Sequence, residues 1–148
     1  MYMIGALRVT AMPNGGKITI FGFNDGVYGA WPGLWMMASG WTGRWEALLE
    51  DGGVGTTVEA EATSMTGTWQ TVEVWADGPE LNICVDGGEV VSGTSAGDGV
   101  WEVSDLDIAR DESSGASFDL AAFRASSAIP DEAGRAAMRT WAQGYIPV

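Results

Sequence analysis

Residues 69 to 87, Trp-Gln-Thr-Val-Glu-Val-Trp-Ala-Asp-Gly-Pro-Glu-Leu-Asn-Ile-Cys-Val-Asp-Gly, constrain the fold more than any other part of this chain. Two alternating runs, Trp69 to Ala76 and Glu80 to Asp86, flank Asp77-Gly78-Pro79. Asp-Gly suits a tight reversal, because glycine reaches positive φ without steric cost. The second run closes on Asp86-Gly87-Gly88, so a further reversal follows at once. Period-two hydrophobicity punctuated by glycine predicts a β-meander here.

The same rhythm runs through most of the sequence. Strands are predicted over 2–12, 17–24, 34–38, 43–50, 56–63, 69–76, 80–86, 89–92, 101–109 and 117–125. Glycine-rich breaks separate most of them, and ten short strands so spaced predict an antiparallel sandwich. Trp45, Ala47 and Leu49 alternate with Arg44, Glu46 and Glu50, which sets the inward and outward parity of that strand. Val58, Ala60 and Ala62 alternate with Thr57, Glu59, Glu61 and Thr63 in the same way. Strand 101–109 changes phase, so a bulge is expected near Ser104-Asp105. Only the tail reads as helix. Pro130 suits the first helical position, Asp131 and Glu132 the positive end of the dipole, and Ala133, Ala137 and Trp141 form an apolar stripe.

The middle segment resembles the central strands of laminin G-like domains, members of the concanavalin A-like lectin/glucanase jelly rolls. Trp69, Val72, Val74, Asp77, Gly78, Leu81, Ile83, Val85, Asp86 and Gly87 carry the resemblance, with Cys84 where an aromatic is commoner. Ile108-Ala109-Arg110 and the run from Phe118 to Arg124, followed by Ile129-Pro130-Asp131-Glu132, extend it over residues 69–143. The resemblance implies an all-β, antiparallel two-sheet jelly-roll sandwich with one short C-terminal helix. At 148 residues it would be a single domain, 1–148, able to bury roughly 68–70% of its unfolded surface without metals or disulfides.

Composition excludes several functions. A net charge of −13 opposes nucleic-acid phosphates and anionic membranes, and no run reaches the ~18 apolar residues of a membrane span. The start, Met1-Tyr2-Met3-Ile4-Gly5, lacks the basic and apolar regions of a secretory signal. With no histidine, Ser-His and Cys-His nucleophile systems and histidine metal sites are out. The lone Cys84 reads as a small strand side chain. The glucanases of the resembling superfamily use two glutamates around a central acid on one strand. Glu46 to Glu50 has Leu48 in the central place, and Glu59-Ala60-Glu61 has no third partner, so no catalytic residue is assigned.

Eight tryptophans are the best functional lead. Each can bury ~150–250 Å² and still present an N–H donor. Trp45, Trp69, Trp101 and Trp141 fall on apolar parities and are assigned to the core. Trp75 shares its face with Thr71 and Glu73, opposite Val72 and Val74. Tyr28, Trp31, Trp35 and Trp41 lie within 14 residues, in or beside glycine-rich loops. Together with Trp75 they can stack on sugar rings, with Asn24 or Asp25 accepting hydroxyl hydrogen bonds. A hydrophobic plug or a subunit contact would use the same residues. No cofactor is assigned. Laminin G-like domains often carry calcium, and Asn24-Asp25-Gly26 and Asp105/Asp107 offer the hard oxygen ligands a structural ion would want.

The expected function is a non-catalytic recognition or adhesion module that binds a glycan or polysaccharide, carried on a phage particle or another extracellular surface. The alternative is a structural virion protein, such as a capsid decoration, head fibre or tail component, whose aromatic loops grip neighbouring subunits in a homo-oligomer or particle. A glycan hydrolase comes last.

Overall fold

The computed structural model describes residues 1–12, 16–24, 33–51, 53–60, 65–97, 105–111 and 116–148. The strands are β1 (Tyr2–Ala11), β2 (Lys17–Asn24), β3 (Gly33–Ser39), β4 (Arg44–Asp51), β5 (Val54–Glu59), β6 (Gln70–Asp77), β7 (Glu80–Val85), β8 (Val91–Thr94), β9 (Asp105–Asp111) and β10 (Ser117–Ser126). One helix, α1 (Glu132–Gln143), follows them. One sheet has the order β10-β1-β6-β7-β8 and the other β5-β4-β3-β2-β9. All pairings between these strands are antiparallel.

The chain therefore makes a meander in the second sheet, β2 to β5, and another in the first, β6 to β8. It then crosses back twice, to place β9 beside β2 and β10 beside β1. The β6–β7 reversal is the predicted one: Asp77 pairs with Glu80, and Gly78 adopts φ +56°. The next turn is unusual, because Asp86 itself takes φ 52° ahead of Gly87 at 72°. Its carboxylate accepts from the Thr71 amide at 2.7 Å and the Thr71 hydroxyl at 3.1 Å, which holds that conformation.

The core lies between the sheets. Met3, Leu7, Val72, Val74, Leu81 and Ile83 from one meet Leu34, Met36, Ala38, Trp45, Ala47 and Leu49 from the other. The inward parity of β4 matches the sequence expectation, since Trp45, Ala47 and Leu49 are fully buried. The Trp45 indole crosses the sandwich to donate to Gln70 Oε1 at 2.9 Å, which satisfies both buried polar groups. Phe21 and Phe123 stack at 3.7 Å between ring centroids. Trp69 is half-buried, with the Arg8 guanidinium 5.0 Å from its ring centre, rather than a full member of the core.

Some boundaries differ from the sequence expectation. β5 spans Val54–Glu59, not 56–63, and β9, described from Asp105, runs on to Asp111, past the expected 109. Residues 61–64 and 101–104, with Trp101 and Ser104, lie outside the described residues. The bulge expected near Ser104-Asp105 falls on that boundary; a register shift is seen in β2, where Ile20 is extra between Thr19 and Phe21 opposite β3. Pro130 precedes the helix rather than opening it: Asp131 is the N-cap, accepting from the Gly134 amide at 2.8 Å. Of the predicted helical stripe, Trp141 is half-buried and packs against the sheet as expected, but Ala133 and Ala137 are exposed, while Arg135, Met138, Arg139 and Ala142 turn toward the sheet.

Candidate functional site

A sandwich has two outward faces, and here their sequences give them different fates. On the first sheet, Tyr2, Ile4, Ala6, Glu73, Trp75 and Cys84 point away from the core, and α1 lies over them. Glu73 is completely buried. It accepts from the Tyr2 hydroxyl at 2.9 Å and from Arg139 Nη1 at 2.7 Å. Arg139 reaches Glu132 as well, at 2.8 Å, and Glu132 also pairs with Arg135. Burial, then the Glu73 charge, push the Tyr2 hydroxyl far above its usual range, while the Glu73 hydrogen bond raises Arg139. Burial followed by the same carboxylate raises the Cys84 thiol, so this cysteine is a buried, protonated side chain.

Trp75 belongs to this closed face. It is 6% exposed, sits 6.4 Å from the Tyr2 ring, and carries the Arg135 guanidinium 4.5 Å from its ring centre. The expectation that it stacks on a ligand is therefore corrected: a cation and a helix cover its ring.

The outward face of the second sheet is built differently. Register aligns Lys17 with Ser39 and Arg44, Thr19 with Met37 and Glu46, and Gly22 with Trp35 and Leu48. Trp35 is 2% exposed and lies directly on Gly22, where an added Cβ would meet its ring at 1.9 Å. Its role is packing across the glycine, not presentation to a ligand, which corrects a second expectation. Thr19, Met37, Ser39 and Glu46 are buried too. Glu46 stands on the expected outward parity of β4, yet it is 1% exposed rather than solvated.

What Glu46 does instead defines the open end of this face. Its Oε2 accepts from Lys17 Nζ at 2.5 Å, and its Oε1 stands 3.5 Å from the Thr42 hydroxyl. Thr42 follows Trp41 in the tight turn that joins β3 to β4. There Gly43 takes φ +69°, and its amide donates to the Ser39 carbonyl at 2.9 Å. Trp41 is 66% exposed, with the Lys17 ammonium 5.6 Å from its ring centre. One flat aromatic surface, an ammonium, a hydroxyl and a carboxylate thus meet at one corner. Beside them Ser39, in register with Lys17, buries a hydroxyl that has no hydrogen-bond partner among the described residues.

The four described members of the predicted set of seven, Asn24, Trp35, Trp41 and Trp75, do not come together as one site. Trp41 is at one end of the β2–β3–β4 face. Asn24 is at the far end of β2 from Lys17, seven residues and about 23 Å along the strand. Asn24 is in register with Asp105, so one residue of each candidate calcium segment stands side by side on neighbouring strands. Among the described residues, no group of three or more acidic or cysteine side chains is arranged to hold a metal. Asp25, Tyr28 and Trp31 lie outside the described residues. Lys17, Thr42, Ser39 and Glu46 were not singled out as ligand contacts by sequence. The available signal was the Gly40-Trp41-Thr42-Gly43 turn between two alternating runs, which must expose a tryptophan.

Most basic side chains are committed to carboxylates. Arg8 pairs with Asp119, Lys17 with Glu46, Arg44 with Glu59, Arg135 with Glu132, and Arg139 with Glu73 and Glu132. No helix among the described residues is long and apolar enough to cross a membrane.

A scan against protein-family models finds no match, and neither does a search of curated proteins. Solved structures do match. An alginate lyase from Pseudomonas aeruginosa aligns at a TM-score of 0.57 and 18% identity, over 84% of this chain and 63% of that one. Domains LG4-5 of the mouse laminin α1 chain align at 0.51 and 17%, over 77% of this chain and 31% of that one. A carbohydrate-binding module from Bacillus subtilis aligns at 0.49 and 13%, over 76% and 74%. The chain thus spans less than two thirds of the length of the lyase and of the laminin pair. It has the concanavalin A-like, laminin G-like jelly-roll fold.

Proposed function

We propose that this protein is a non-catalytic recognition module that binds a glycan through the Trp41 corner of the β2–β3–β4 face. The observation that carries the proposal is the 66% exposure of Trp41 beside Lys17, Thr42 and Glu46. Sugar rings present apolar C–H faces edged by hydroxyls. A flat indole flanked by fixed donors and acceptors complements both. The alginate lyase with this fold supports the scaffold part of the argument only, since one fold hosts many activities. The reading is non-catalytic because Leu48 stands where a glucanase-like strand needs its central acid, and Glu46 is already held by Lys17. Carriage on a phage particle or other extracellular surface is the setting we assign to such a module.

Exposed apolar side chains elsewhere, Leu106, Leu120 and Tyr145, favour a second reading in which this chain contacts neighbouring subunits of a virion or homo-oligomer. Two variants separate these readings. Covering half of an indole's ~150–250 Å² at ~25 cal/mol per Å² is worth about 2–3 kcal/mol, or roughly 30- to 150-fold in affinity. Trp41→Ala should cost that much in retention on an immobilised polysaccharide, with the melting temperature moved by no more than a few degrees. Unchanged retention of that variant, with an oligomer that dissociates on size-exclusion chromatography in Leu120→Ser, would decide for the subunit contact.

A further inference from the structure

We infer that the ligand at the Trp41 corner is an uncharged glycan and that the site turns away uronate-rich polyanions. This rests on the glycan reading above and narrows it. A carboxylate-bearing polysaccharide needs cations free to meet it, and Lys17 is the lone lysine of the chain. Its ammonium is held 2.5 Å from Glu46, whose carboxylate is 1% exposed. Diverting Lys17 to a ligand carboxylate would leave Glu46 buried and uncompensated, a heavy cost against a contact made in water.

The neighbouring cation also has a carboxylate partner, though a looser and more exposed one. Arg44, in register with Ser39 at the same end of the face, lies 3.6 Å from Glu59. Beyond the site, a net charge of −13 over 148 residues repels a polyanion before contact, over a Debye length of ~8–10 Å. Among the described residues, the corner offers an indole surface and the Lys17–Glu46 ion pair, together with the Thr42 hydroxyl. Such a set reads hydroxyls and C–H faces. The site would therefore differ in ligand charge from the alginate lyase that shares its fold.

The test is affinity electrophoresis of the full chain through native gels containing hydroxyethyl cellulose, soluble starch, galactomannan, alginate or polygalacturonate. Each is run at about 20 mM and about 150 mM salt. Retardation of at least tenfold in dissociation constant terms is expected in one or more neutral gels. It should be unchanged by salt and lost in Trp41→Ala, with no retardation in the two uronate gels at either salt. Retardation by alginate or polygalacturonate that fades at the higher salt would overturn the inference and leave the glycan reading standing. Free migration in all five gels would overturn both.

Discussion

The Arg139–Glu73 contact decides which face of the sandwich is closed, so its removal has a calculable consequence. Glu73 has no solvent exposure, and its two partners are the Arg139 guanidinium at 2.7 Å and the Tyr2 hydroxyl at 2.9 Å. Arg139→Met removes the compensating charge and keeps the side-chain stem over the sheet. Stranding a buried carboxylate costs about 3–5 kcal/mol. Water lies just beyond a single helix, so the lower end, ~3 kcal/mol, applies. For a chain of this size that is a fall of roughly 6–12 °C in melting temperature. Glu73→Gln in the same background keeps an acceptor for Tyr2 and removes the stranded charge. It should therefore restore about 2 kcal/mol, where the same change in the parent protein is destabilising. Urea unfolding of the four proteins at pH 7 gives the coupling energy directly. Tryptophan emission reports the helix, since Trp75 is shielded only while Arg135 and α1 lie over it. A coupling energy below ~0.5 kcal/mol would refute the argument that this ion pair holds the helix down.

Two further predictions concern the rest of the scaffold. Gly22→Ala should destabilise by about 1–3 kcal/mol, because the Trp35 ring, 1.9 Å from the new Cβ, must leave its place; equal urea midpoints for variant and parent would count against that packing. The hydroxyl of Tyr2 is raised from an ordinary 10.0 in the folded state, so the unfolded chain ionises first. Stability from that group is complete below pH 10 and declines as pH rises past it, and Tyr2→Phe, although weaker at pH 7, should flatten the alkaline limb of a midpoint-against-pH curve. Cys84 adds a decline of the same sign above its ordinary 9.0, so the comparison belongs in a Cys84→Ala background.

Strand positions were legible because β-structure writes itself in nearest-neighbour alternation, and the turns carry their own glycine chemistry. The inward set Trp45, Ala47 and Leu49 needed nothing beyond period two. The helix departs from its expected stripe at Ala133 and Ala137 for a definite reason. Arginine looks like a solvent residue in sequence, yet Arg135 and Arg139 lay their stems along the sheet and their guanidinium groups on Trp75, Glu73 and Glu132. Glu73 lies 66 positions from Arg139, so no local window contains both. Within the described part of the tryptophan cluster, Trp35 and Trp41, the error was the opposite one, sequence proximity taken for spatial proximity. A strand advances ~3.3 Å per residue, so Trp35 lies mid-face on Gly22 while Trp41 turns outward at the hairpin.

The distribution of cations ties these parts together. Of seven basic residues, Arg8, Lys17, Arg44, Arg135 and Arg139 are matched to carboxylates within this same chain. Two of those matches stabilise carboxylates that the fold buries, Glu46 on one outward face and Glu73 on the other. A buried acid recruits a cation, and each cation so recruited is withdrawn from the surface. The excess negative charge then stays outside, where it favours solubility and repels anionic partners. On the helix-covered face the recruited arginines close the surface over Trp75. At the β3–β4 turn the recruited lysine sits beside Trp41 without covering it, and that difference is why the recognition argument rests on this corner.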